Sequence, residues 1–205
     1  MSRPIRTAAL ALVTTAGLSL AVLAHPSTSS EWPEPEGQTN GQPERFTANA
    51  INMNRGAAGN VEIVVNRWST DVQRTTLMST LLEKGPEKLL DKLQDMPRMG
   101  YIRTPDSIGW DIHFARRTPQ PEGGERVVLL TDRRIGFWEA AHQPRSIDYP
   151  FTVIELRLNR DGEGEGKMSL ATKIIPDKTN NIVTLENYET SPVMLTNVKR
   201  ERVSQ

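Results

Sequence analysis

The stretch Phe151-Thr152-Val153-Ile154-Glu155-Leu156-Arg157-Leu158, with Asn159-Arg160-Asp161-Gly162-Glu163-Gly164-Glu165-Gly166 after it and then Lys167 to Ile174, decides the fold class. Ile154, Leu156 and Leu158 alternate with Glu155 and Arg157, and Met168, Leu170, Thr172 and Ile174 repeat the same period. Successive side chains of a strand point to opposite faces, so each run reads as a strand with one inward aliphatic row. The glycine-rich run between them reads as a polar hairpin loop. Its alternating oxygen donors raise calcium as a ligand. A calcium helix-loop-helix site places glutamate twelfth, however, and counting from Asn159 that position is Leu170.

The same period recurs on both sides. Ile182 to Tyr188 and Val193 to Lys199 follow, separated by turns at Asp177–Asn181 and Glu189–Pro192. Upstream lie Phe46 to Met53, Val61 to Trp68, the short Gly100 to Arg103, an alternating segment from Trp110 to Ala115, and Arg126 to Thr131. The last is apolar on both faces, as a central strand would be. Arg55 to Asn60 reads as a hairpin turn and Thr118 to Glu125 as a loop.

One helical hairpin interrupts the strands. Thr70 and Gln73 stand in capping-box spacing after Ser69, and Val72, Leu77, Leu81 and Leu82 form an approximate apolar stripe. Gly85 ends this helix and Pro86 opens a second, with Leu89, Leu90, Leu93 and Met96 on one face and Pro97 as its stop.

Short connections favour antiparallel pairing of sequential strands, because a parallel crossover needs about a dozen residues or more. The expected class is therefore mainly β (β-rich α+β): an antiparallel meander forming a barrel, half-barrel or sandwich, with an inserted helical hairpin over one end or over the concave face. Order of elements alone leaves the three sheet architectures open.

Residues 1–24 read as a secretory signal peptide. Arg3 and Arg6 precede an apolar and small-residue run from Ala8 to Ala24, with Val22 and Ala24 placed for cleavage. The run also approaches the lower limit for a membrane span, so an uncleaved N-terminal anchor is the alternative. Residues 25–44, rich in Ser, Pro, Glu, Gly, Gln and Asn, read as a flexible linker. Residues 45–200 read as a single β-rich globular domain and 201–205 as a tail. The expected setting is periplasmic or extracellular.

The chain has no cysteine, which excludes disulfides, a thiol nucleophile and thiolate metal sites. Basic and acidic side chains balance at 25 each, against the basic excess of a nucleic-acid binder. With three histidines and no metalloprotease spacing, neither a metal nor another cofactor is called for.

Two places invite chemistry. Arg133 to Asp148 lacks strand or helix periodicity and is long for a connection. It carries Phe137, Trp138, Glu139, His142 and Arg145, the mixture of rings and polar groups that a ligand loop uses. The same rings would serve as a plug for a barrel end. His113 has Asp111 two residues away on the same strand face, the makings of an oriented base, although no activated serine accompanies it. The functional expectation is a non-catalytic, exported domain binding a small apolar molecule or an envelope component. A small hydrolase or isomerase built on His113 or His142 and a carboxylate is the alternative, and an interaction module pairing through a free sheet edge is a third reading.

Overall fold

The hairpin of Phe151–Leu158 with the run after it forms where the alternation places it, but its loop is far shorter than the glycine-rich run. In the computed structural model, which describes residues 43–53, 56–133, 149–177, 182–187 and 191–202, β6 spans Phe151–Leu158 and β7 Glu163–Asp177. Asn159 Oδ1 accepts the backbone N–H groups of Asp161 (2.9 Å) and Glu163 (3.0 Å), and Gly162 turns the chain at φ 80°. That oxygen serves the turn, and Gly164 and Gly166 belong to β7. Gly164 is required there. A Cβ on it would lie 1.9 Å from the carbonyl oxygen of Arg157 on the paired strand.

The remaining strands are β1 (Glu44–Asn52), β2 (Ala57–Val65), β3 (Gly100–Arg103), β4 (Trp110–Pro119), β5 (Glu125–Thr131), β8 (Ile182–Asn187) and β9 (Val193–Arg202). The helices are α1 (Asp71–Lys84) and α2 (Pro86–Gln94). Strands replace much of what composition suggested was turn: β2 begins at Ala57, β4 runs to Pro119, and β1 and β9 extend beyond residues 45 and 200. Their backbone groups pair across the ladder whatever the side-chain composition.

Every adjacent pair is antiparallel, in the order β6-β5-β4-β3-β2-β1-β9-β7, and the additional pairing of β6 with β7 closes the ring. The architecture is thus a closed eight-stranded antiparallel barrel with a helical hairpin. It is not a purely sequential meander. β9 passes over β8 to pair with β7 at Glu163–Met168, while β8 pairs with the far half of β7 at Thr172–Asp177. The length of β7, 15 residues, makes this possible. Its first part closes the barrel and its second part projects past it with β8 as a two-stranded wing.

The barrel is solid. Phe46, Ile63, Ile102, Ile112, Val127, Leu129, Ile154, Leu156, Met168 and Leu195 meet in one buried cluster drawn from all eight strands, as expected for a barrel of this strand number, whose lumen side chains just fill. Charged side chains cross one end. Arg117 bonds Glu44 at 2.9 Å and stacks over the buried Trp68, and Arg200 bonds Glu125. β1 and β4 are not neighbours in the ring, nor are β5 and β9, so these contacts span the mouth.

A second cluster lies outside the barrel. Leu77, Leu81, Leu89, Leu93 and Met96 of the helical hairpin pack on Phe114, Leu130, Phe151, Val153 and Ile174. The hairpin therefore covers the outer wall, contrary to the expectation of an end or the concave face. The inward rows already fill the lumen, and the outward row of β4 to β6 supplies the apolar surface on which a helix can rest. The capping box forms as expected: Thr70 Oγ1 accepts Gln73 N–H and Gln73 Oε1 accepts Thr70 N–H.

Candidate functional site

Strand register sets the character of the outer wall beneath the helices. Phe114 pairs with Leu130 and Leu130 with Val153. One step along, Arg116 pairs with Val128 and Val128 with Glu155. At the next step, Thr118 pairs with Arg126 and Arg126 with Arg157. Each step is two residues, roughly 6.6 Å along the strand. The wall thus passes from wholly apolar, through mixed, to strongly polar in about 13 Å.

This wall is the floor of a half-open groove of about 490 Å³. Leu77, Met78, Leu81 and Leu89 of the helices form one side. The wing forms the other: Ile174 pairs with Leu185 and Pro176 with Val183, and Ile174, Val183 and Leu185 line the groove. Leu185 remains 42% exposed and Val183 36%. Two hydrogen bonds hold the wing in place, from Tyr149 Oη to Glu186 Oε1 (2.6 Å) and from Thr172 Oγ1 to Asn187 Oδ1 (2.9 Å).

Arg74, Arg116 and Arg126 are the cations of the lining, with Glu155 as its carboxylate. Arg116 bonds Asp71 at the start of α1, and Arg126 bonds Glu155 through Nε at 3.0 Å and Nη2 at 3.2 Å. Arg157 also donates to Glu155, at 3.0 Å. Burial raises the Glu155 carboxyl, but the hydrogen bonds from Arg126 and Arg157 outweigh it and hold the group below its ordinary value. Arg74 is exposed one helical turn from Asp71, and its guanidinium has no ion-pair partner among the described residues.

A second hollow, of about 580 Å³, is polar, and is lined by Asn49, Asn60, Glu62, Arg103, Ser107 and Asn197 among others. Asn197 takes a positive φ of 52° where the β1–β9 register shifts. Amides and hydroxyls facing water incur no penalty, whereas exposed apolar walls do. The apolar groove is therefore the stronger candidate site.

Phe137, Trp138, Glu139, His142 and Arg145 lie outside the described residues. His113 is described, and its expected partner is not the one it has. Asp111 pairs with Arg98 at 2.9 Å. His113 Nδ1 lies 2.9 Å from the Met96 carbonyl oxygen, which can only accept, so Nδ1 carries a proton. Nε2 faces Asp132 at 3.7 Å. The register shift between Ile112 and Phe114 falls at His113 and turns Phe114 to the outer face, so the strict alternation read from Trp110 to Ala115 ends there. His113 lines neither hollow. Among the described residues, no group of three or more His, Cys, Asp or Glu side chains could hold a metal ion, and no helix is long and apolar enough to cross a membrane.

The sequence reading missed the groove residues, although one signal was present. Val128 and Leu130 made β5 apolar on both faces, and the outer face of a barrel strand needs that only when something covers it. No family model, curated protein or solved structure matches the chain.

Proposed function

We propose that this chain is an exported, non-catalytic binding module that holds a small apolar or amphipathic molecule in the groove between the helical hairpin and the β7–β8 wing. The observation that carries this reading is the continuous apolar lining, from Leu77 and Phe114 to Val183 and Leu185, left open beside a barrel whose own lumen is filled. Binding sites are typically concave, mostly apolar and furnished with a few polar groups. The filled lumen argues against a ligand inside the barrel. The charged and then apolar residues 1–24 support the exported setting.

The test uses the neutral apolar dye N-phenyl-1-naphthylamine. Its fluorescence should rise saturably to one dye per chain, and the rise should vanish in Leu185→Asp and in Val128→Glu while each variant keeps its melting transition. No saturable rise, or an unchanged rise in both folded variants, overturns the assignment. Intact-mass measurement of the chain recovered outside the cytoplasm tests the leader.

A further inference from the structure

We infer that the groove selects a free single-chain amphiphile with an anionic head, the chain lying against Val153, Val183 and Leu185 and the head meeting Arg74. This rests on the groove reading above and names the ligand class. Three features carry it. The floor is graded along one axis, wholly apolar at Phe114–Leu130–Val153 and polar at Thr118–Arg126–Arg157, so an occupant should be graded too. The lining charge is one-sided, with Arg74, Arg116 and Arg126 against Glu155. The cations also differ in availability. Arg116 is engaged by Asp71 and Arg126 by Glu155, whereas Arg74 has no carboxylate partner among the described residues.

A guanidinium presents a planar fork that suits a carboxylate or another oxyanion, and such charge-assisted bonds are stronger than neutral ones. Arg74 lies one helical turn after Asp71 of the Arg116–Asp71 pair. It can therefore meet a head group without breaking an existing ion pair. A cationic head would meet the Arg74 guanidinium beside carboxylates already engaged by Arg116 and Arg126, and a neutral polar head would leave Arg74 without an ion-pair contact.

The experiment is calorimetric titration of the full-length chain, below the micellar range, with decanoate, decyltrimethylammonium and decyl glucoside. Decanoate should bind at one site at least tenfold more tightly than the other two, with a preference that shrinks as salt is added. Arg74→Gln should weaken decanoate at least threefold and leave decyl glucoside unchanged. Leu185→Asp should weaken all three, with Val128→Glu as the second blocking variant should the first disturb β8.

Equal affinity for the three probes, with loss in the blocking variants, would overturn the head-group inference while the groove reading stood. Binding of none, or binding indifferent to both blocking variants, would overturn the groove reading itself. Decanoate preference that survives Arg74→Gln would remove the head from Arg74. Sedimentation with anionic phospholipid vesicles without binding of monomeric decanoate would place the contact at a bilayer surface and overturn the proposal.

Discussion

Ser69 and Ala115 exchange two hydrogen bonds: Ser69 N–H donates to the Ala115 carbonyl at 2.8 Å, and Ala115 N–H donates to Ser69 Oγ at 3.0 Å. Ser69 is buried, two residues before α1, and Ala115 lies in β4 between Phe114 and Arg116 of the groove floor. This pair ties the chain just before α1 directly to β4.

Ser69→Ala removes one acceptor and leaves the buried Ala115 N–H unsatisfied. The expected loss is about 1–3 kcal/mol, read from urea denaturation. A loss inside about 0.5 kcal/mol, the range of an unremarkable surface change, would show that the amide has found another acceptor and that the clamp contributes little.

The lumen and the groove should respond differently to truncation. Ile154 is fully buried among the lumen side chains, and Ile154→Ala should lower stability by about 2–5 kcal/mol. Leu185→Ser, at a half-exposed wall position, should stay within about 1 kcal/mol. Comparable losses at both sites would mean that the wing is part of the stabilising core.

Gly164→Ala tests closure of the ring. The added Cβ meets the Arg157 backbone, which cannot move without parting β6 from β7. Destabilisation at or beyond the upper end of the roughly 1–3 kcal/mol seen for overpacking is expected. A variant with unchanged unfolding midpoint and native hydrogen-exchange protection in β6 would contradict the pairing described.

Acid stability carries the signature of Glu155. Its native carboxyl titrates below the ordinary 4.5, so its contribution is complete above that value and fades as pH falls through the lowered native pKa. Glu155→Gln removes this component, and the variant should lose less stability than the parent on acidification below pH 4.5. Urea midpoints measured across that range decide the matter; parallel curves for the two proteins would count against the Arg126–Glu155–Arg157 cluster as the cause.

Strands and helices were legible in the sequence because their signals are local. The inward row Ile154, Leu156 and Leu158 and the Thr70–Gln73 capping box need only near neighbours to form. Closure was not legible, because it depends on β9 pairing with β7 and β1 on opposite edges while β8 is passed over. No periodicity encodes that choice, although Gly164 and Gly166 mark where strands crowd together. The groove was hidden for a related reason. Its residues come from α1, α2 and β4 to β8, and none forms a motif with its sequence neighbours. His113 shows the opposite failure: spacing along one strand assigned it Asp111, but Arg98 engages that carboxylate and His113 meets Met96 and Asp132, contacts from other parts of the chain that alternation cannot show.

The position of β8 has a consequence for how such a protein can diversify. Since β9 completes the ring, insertions, deletions or exchanged side chains in the Ile182–Asn187 ribbon need not be matched by repacking of Phe46, Ile63 or Leu195. A library confined to that ribbon should therefore reshape the wall formed by Val183 and Leu185 while the scaffold keeps its melting behaviour, leaving surface and support to vary independently.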